Sequence, residues 1–166
     1  MPALEIKKYP ASILRKKSEE IKEIREETRS LIFEMKELLE KAGGLGLAGP
    51  QVGELKRIIV IKLDNAVKGF INPKILKKSR NWGKLEEGCL SFPGIWLKIR
   101  RAKEIEIIAI NEENQKIQMV VEGLSARIFQ HEIDHLDGIS FIERAPLWQR
   151  IKARKALKEL EKRYGS

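Results

Sequence analysis

The sequence predicts a single α+β domain, and three observations carry that expectation. A helical segment near the N-terminus precedes several short β-branched runs, and two further helical segments close the chain. The 166 residues amount to one ordinary domain, with no internal repeat and no Gly/Ser linker dividing them. A composition of 42% hydrophobic and 34% charged residues, with 12 Gly and 6 Pro, suits a packed core and excludes disordered or collagen-like chains.

The elements follow in order. Residues 10–17 hold at most a short turn of helix. Over residues 28–42 the apolar positions Leu31, Ile32, Met35, Leu38, Leu39 and Ala42 recur at steps of three and four, one face of an amphipathic helix that Gly43-Gly44 stops. A glycine-rich stretch, residues 43–53, comes next. Residues 57–63 read as a buried strand, and further strands are expected at 69–71, 83–87, 105–110 and 117–121, with a hairpin turn over 111–114. Residues 124–136 and 147–164 read as helices, the second beginning just after Pro146. Leu147, Ile151, Leu157 and Leu160 are expected to stripe its packed side. Residues 1–146 are taken as the catalytic part, and 147–166 as a basic helix of the same domain.

Charge and ligand counts narrow the function. The net charge is +9, and from residue 144 onward eight Lys/Arg face two Glu, so the basic character is expected in the tail. No N-terminal apolar segment marks a signal peptide and no run is long enough to span a bilayer, which gives a cytoplasmic reading; a mature organellar form fits as well. One Cys and two His exclude an intrachain disulfide and a closed four-ligand Cys/His zinc site, but they suffice for an open catalytic metal site.

Both histidines fall in His131-Glu132-Ile133-Asp134-His135. Residues four apart share a helix face, so both imidazoles can reach one ion, with Glu132 beside it to act on water. The third ligand is Cys89 or a carboxylate, and spacing alone also allows Cys89 to be a small buried hydrophobe. The glycine-rich stretch lacks the Gly-Lys-Ser/Thr ending of a P-loop and lies between helix and strand in the reverse order of a nucleotide fingerprint. Gln51 at its end carries an amide donor suited to an oxyanion.

Three segments together resemble the peptide deformylase family: Gly44-Leu45-Gly46-Leu47-Ala48-Gly49-Pro50-Gln51, Glu87-Gly88-Cys89-Leu90-Ser91 and Gln130-His131-Glu132-Ile133-Asp134-His135-Leu136-Asp137-Gly138, in family order. Gly49 stands where the family usually has Ala, a change expected to add backbone freedom. The resemblance implies small mixed or antiparallel sheets packed around the central HExxH helix. It implies that Cys89, His131 and His135 bind one divalent ion, usually Fe²⁺, with Zn²⁺, Ni²⁺ or Co²⁺ able to replace it and water in the fourth position. Thiolate plus two imidazoles would by ligand type favour Zn²⁺. The implied reaction removes the formyl group from N-terminal formylmethionine of nascent proteins. Glu132 is then general base and acid, and Gln51 and the Leu90 N–H hold the oxyanion. Gly44, Leu45, Gly46, Glu87 and Gly88 would pair with the extended peptide. Leu124 and Ile128 correspond to the methionine pocket, although helical spacing makes them equally plain core residues. Arg127 is expected at the pocket rim, and Asp134 with Arg101 in an ion pair supporting the metal helix. The last helix is expected either to be a solvated, packed surface or to dock on ribosomal RNA. The competing readings are another HExxH metallopeptidase, a non-catalytic ribosome- or RNA-associated protein, and an inactive deformylase.

Overall fold

The computed structural model describes residues 3–165; the outer ends of the spans 1–146 and 147–166 lie outside them. Helix α1 (Glu26–Ala42) begins two residues earlier than its apolar period, because Glu26 and Glu27 suit the positive end of the helix dipole. It ends at Gly43, whose φ of 68° is the left-handed cap that glycine adopts without strain. Strand β1 (Gly46–Ala48) and a 3-10 turn (Gly49–Val52) lie within the glycine-rich stretch. Then come β2 (Ile58–Leu63), β3 (Ala66–Lys78), β4 (Trp82–Glu87), β5 (Leu97–Ala102), β6 (Glu104–Ile110) and β7 (Lys116–Glu122). Helix α2 (Gly123–Leu136), the short α3 (Phe141–Arg144) and α4 (Leu147–Tyr164) complete the chain.

The strands form two antiparallel sheets, one in the order β1-β2-β3-β6-β7 and one pairing β4 with β5. The architecture is the expected α+β arrangement. Of the mixed-or-antiparallel expectation the antiparallel form holds, and the one parallel contact is the isolated bridge Glu19–Lys56. The continuous apolar run of β2 has a simple cause. Ile58 and Val60 face Leu31, Ile32, Met35 and Leu39 of α1, whereas Ile59 and Ile61 face Phe129, Ile133 and Leu136 of α2. A strand sandwiched between two helical layers loses the polar half of its alternation. Strand β3 runs much longer than residues 69–71, because Asn72 (φ 51°) and Pro73 sit at a register shift that bends the strand without ending it. Asn72 is held there by reciprocal hydrogen bonds with the backbone of Ile21.

Strand β5 and α3 were not expected. Beyond the two core clusters on either side of β2, a third joins β5 and α3 to α4: Phe92, Ile95, Leu97 and Ile99 pack on Phe141, Ala145, Ala153 and Leu160. Helix α4 has the predicted bounds, but its packed side is corrected. Ala153, Leu157 and Leu160 face the domain, while Leu147 and Ile151 are exposed with Trp148. Gln149 decides the rotation, because its buried amide donates to the carbonyl of Lys98 and accepts from its N–H. No helix among the described residues is long and apolar enough to cross a membrane.

Candidate active site

Helix α2 is buried from Ala126 through Leu136, so both its histidines sit inside the molecule. The loop after β4 brings Cys89 across to them. Its Sγ lies 3.3 Å from His135 Nε2, and one ligand atom from each of Cys89, His131 and His135 falls within 4.8 Å of the others. That spacing is right for groups sharing one tetrahedral ion at roughly 2.0–2.3 Å bond lengths. Glu132 Oε2 beside them is buried with no partner among the described residues, as expected of a carboxylate that faces a fourth, non-protein position. Three S/N donors plus an open side fit a catalytic metal ion.

His131 Nδ1 lies 2.9 Å from Glu87 Oε1. A carboxylate only accepts, so Nδ1 carries the proton and Nε2 is left for the cluster. Glu87 is also gripped by Arg101 through two bonds of 3.0 Å and by Arg127 at 2.6 Å. Arg101 reaches Asp134 at 2.6 Å, and Arg144 closes a bidentate pair on the same Asp134. The expected Asp134–Arg101 pair is thus part of a larger buried network.

The network sets the protonation states of the metal-free chain. Burial pushes the Glu87 carboxyl up, but hydrogen bonds from His131 and Arg101, with their charges, outweigh it and bring the pKa from 4.5 to about 2. Burial alone would push His131 down; its bonds to Cys89 and Glu87 override that and hold it well above its ordinary value. His135 is held well below by burial and then by the charges of His131 and Arg101. Burial raises Glu132 to about 7.

Gln51 is fixed in a definite orientation. Its Oε1 accepts from the Ala48 N–H at 2.9 Å, which turns Nε2 toward Ser91 Oγ at 3.1 Å and Cys89 Sγ at 3.5 Å. The Leu90 N–H has no backbone acceptor among the described residues. Gly46 faces Glu132 so closely that a Cβ there would meet Oε1 at 2.7 Å, and one at Gly44 would meet Leu90 Cδ1 at 2.8 Å. Glycine lets the β1 backbone approach the site. Gly49 has a different cause from added freedom, because a Cβ on it would meet the carbonyl oxygens of Lys56 at 2.5 Å and Glu54 at 2.7 Å.

These groups open into a cavity of about 580 Å³, whose walls include Gly44, Leu45, Gly46, Gly88, Leu90, Leu124, Ile128, His131 and Glu132. Leu124 is 55% exposed and Ile128 is buried. Arg127 departs from the rim position. It is buried in the wall, its guanidinium spent on Glu87, the Ile99 carbonyl and the Gly83 carbonyl. The sequence reading missed Trp96, which lines the cavity, is 64% exposed and packs against Gly88, where a Cβ would meet its ring at 2.7 Å. An aromatic residue a few positions past Cys89 was the available signal. It also missed the Glu87 side chain, read only as backbone.

Both the sequence and the fold are similar to those of known proteins. The chain matches the polypeptide deformylase family over residues 3–150. It is 41% identical to chloroplastic peptide deformylase 1B of Oryza sativa subsp. japonica, over 98% of this chain and 62% of that protein's length. It is 40% identical to the peptide deformylase of Desulforudis audaxviator, over 87% of this chain and 95% of the relative. The crystal structure of a plant peptide deformylase superposes with a TM-score of 0.94 at 35% identity, covering 99% of this chain and 92% of that one. By sequence match and by fold, the chain belongs to the polypeptide deformylase family.

Proposed function

We propose that this chain is a peptide deformylase, a metal-dependent hydrolase that removes the N-formyl group from the N-terminal formylmethionine of nascent proteins and releases formate. One observation carries the reading. Cys89, His131, the unpartnered Glu132 carboxylate and the buried Gln51, whose amide nitrogen is turned toward Cys89, line a single cavity, with His135 3.3 Å behind Cys89.

Cys89, His131 and His135 would hold the ion, and a divalent ion there supplies Lewis-acid polarisation and lowers the pKa of water towards neutrality. We assign Fe²⁺ as the physiological ion, with Zn²⁺, Ni²⁺ or Co²⁺ able to substitute. Glu132, whose Oε2 is buried beside the cluster without a partner, takes the proton of the attacking water and returns it to the leaving nitrogen. Gln51 Nε2 and the Leu90 N–H donate to the oxyanion as it develops on the formyl oxygen. The backbones of residues 44–46 and 87–88 flank the cavity and pair with an extended peptide. Leu124 and Ile128 receive the methionine side chain. Arg127 acts indirectly, by fixing Glu87 and so His131.

Residues 1–146 form the catalytic part, and the packing of Ala153 and Leu160 into the third core cluster supports assigning 147–166 to the same domain. The basic outer side of α4 is a candidate contact for ribosomal RNA near emerging chains. The site of action is the cytoplasm of a bacterium, or an organelle as for the chloroplastic relative.

Formate release from a formyl-Met tripeptide, run beside casein hydrolysis on anaerobically purified protein of measured metal content, tests the reading. Formate release that Glu132→Ala abolishes supports it. Casein cleavage without formate release points to another HExxH peptidase, and activity unchanged in Glu132→Ala overturns the assignment of the base.

A further inference from the structure

The tail does not hold all the excess positive charge. Residues 74–103 carry nine Lys/Arg against two Glu, while the rest of the chain before residue 144 carries 16 Lys/Arg against 20 Asp/Glu. The mildly basic body is therefore an average over an acidic majority and one strongly basic segment. Arg101 and Glu87 form a buried pair. Of the eight other cations, Lys74 pairs with Glu20 and Lys77 with Glu106, and among the described residues Lys78, Arg80, Lys84, Lys98, Arg100 and Lys103 pair with no carboxylate.

The fold gathers these cations. Antiparallel pairing sets Lys84 opposite Arg100 and Glu86 opposite Lys98 on the β4–β5 hairpin. Alternation along β5 buries Leu97, Ile99 and Arg101 and exposes Lys98 and Arg100. The exposed Trp82 is anchored by its Nε1–H to the Ser79 carbonyl at 2.9 Å, with Lys78 Nζ 5.7 Å and the Arg100 guanidinium 5.6 Å from its ring. The ring quadrupole helps hold two like charges in one place. At the free edge of β5, Gln149 ties the first turn of α4 to Lys98. Its neighbour Trp148 is 58% exposed, with Lys152 Nζ 5.5 Å from its ring. The basic surface of the helix thus begins within one residue of a bond to the hairpin.

We propose that the outer face of the β4–β5 hairpin, continued onto the first turns of α4, is a binding surface for single-stranded RNA. Unpaired cations spaced along two strands track phosphates, and an exposed indole offers a base a stacking platform. Glu86 through Gly88 at the end of β4 also line the catalytic cavity, so RNA held on this face lies beside the cavity mouth. Binding here is independent of hydrolysis.

The probe is a fluorescent 12-nucleotide oligouridylate, titrated with the full-length protein at several salt concentrations. The parent chain is expected to bind, with affinity falling steeply as salt rises. Lys84→Gln/Arg100→Gln should weaken binding on the order of tenfold at low salt and reduce the log–log salt slope by about 1.4, that of two lost phosphate contacts. Trp148→Ala should weaken binding on the order of tenfold with no change of slope. Formate release from the tripeptide should stay unchanged in both variants, which excludes unfolding as the cause. Equal affinity and slope in the hairpin variant overturn the proposal. So does loss of binding in Lys155→Gln/Lys158→Gln while the hairpin variant binds like the parent, because the helix alone would then be the site. Binding to anionic phospholipid vesicles but not to the oligouridylate overturns it in favour of a membrane surface. RNA binding without formate release would leave this surface standing and overturn the deformylase reading instead.

Discussion

Glu87 Oε1 accepts the Nδ1–H of His131 at 2.9 Å while two arginines hold the rest of the same carboxylate. One side chain therefore sets the tautomer of a candidate ligand and pairs with two buried cations, of which Arg101 also pairs with Asp134. Glu87→Gln keeps an acceptor for His131 but leaves Arg101 and Arg127 short of a counter-charge. Metal affinity, measured by competition with a chelator, should fall about 10–100-fold. The melting temperature should fall as well, since removing one partner of a buried ion pair typically costs about 3–5 kcal/mol. Affinity and melting temperature equal to the parent's would show that Glu87 supports neither.

The same carboxylate makes the metal-free chain acid-sensitive in a defined window. Its folded pKa of about 2 lies below its ordinary 4.5. A depressed folded pKa contributes stability that is full above the unfolded value and is lost as pH falls towards the folded one. Urea unfolding of metal-free protein should therefore show stability declining between about pH 4.5 and pH 2, with on the order of 3 kcal/mol due to this group. Glu87→Gln should flatten that part of the profile. A parallel decline in both proteins would place the acid sensitivity elsewhere.

Gln51→Leu should lower kcat by about 10²–10³ on a formyl-Met tripeptide, with a much smaller change in KM, because the lost donor acts on charge that develops after binding. Leucine also orphans the buried Ala48 N–H, which Gln51 Oε1 satisfies at 2.9 Å. Gln51→Glu separates the two effects, since a carboxylate keeps the acceptor for Ala48 and removes the donor. Wild-type kcat in Gln51→Glu would remove Gln51 from the oxyanion site.

Long helices and the histidine pair of the candidate site were legible because each rests on a local signal: apolar residues at steps of three and four in α1, and two histidines four apart. Cys89 was chosen over a carboxylate only by the family resemblance, since its approach to them depends on a loop 42 residues upstream. What was not legible depends on partners distant in sequence. Strand β5 reads Leu-Lys-Ile-Arg-Arg-Ala, and its alternation breaks at Arg101, which is buried only because Glu87 and Asp134 meet it. Arg127 reads as a pocket-rim residue until three acceptors from other elements draw it into the wall. The packed side of α4 depends on Gln149, a polar residue that no hydrophobic stripe would select.

Gly49→Ala should destabilise the protein although alanine is usual there in the family. The new methyl group would press on the carbonyl oxygens of Lys56 and Glu54, which are backbone atoms and cannot rotate away. Overpacking of this kind costs about 1–3 kcal/mol. Thermal melts should show the drop, while kcat per folded molecule stays near the parent value if the shift is absorbed in the Glu54–Lys56 turn. An unchanged melting temperature would mean that this turn yields freely.

Glu132 supplies the sharpest opposition between function and stability. Burial raises its pKa from 4.5 to about 7 in the metal-free chain. The folded state therefore binds the proton more tightly than the unfolded state, and stability falls as pH rises from about 4.5 through 7. Glu132→Gln removes that titration while preserving shape. The metal-free variant should match the parent near pH 4.5 and exceed it above pH 7, by up to a few kcal/mol, as read from urea unfolding at both pH values. Formate release should be abolished in the metal-loaded variant while the metal-loaded parent stays active. A variant that is inactive but no more stable at high pH would show that the buried carboxylate is already satisfied by water.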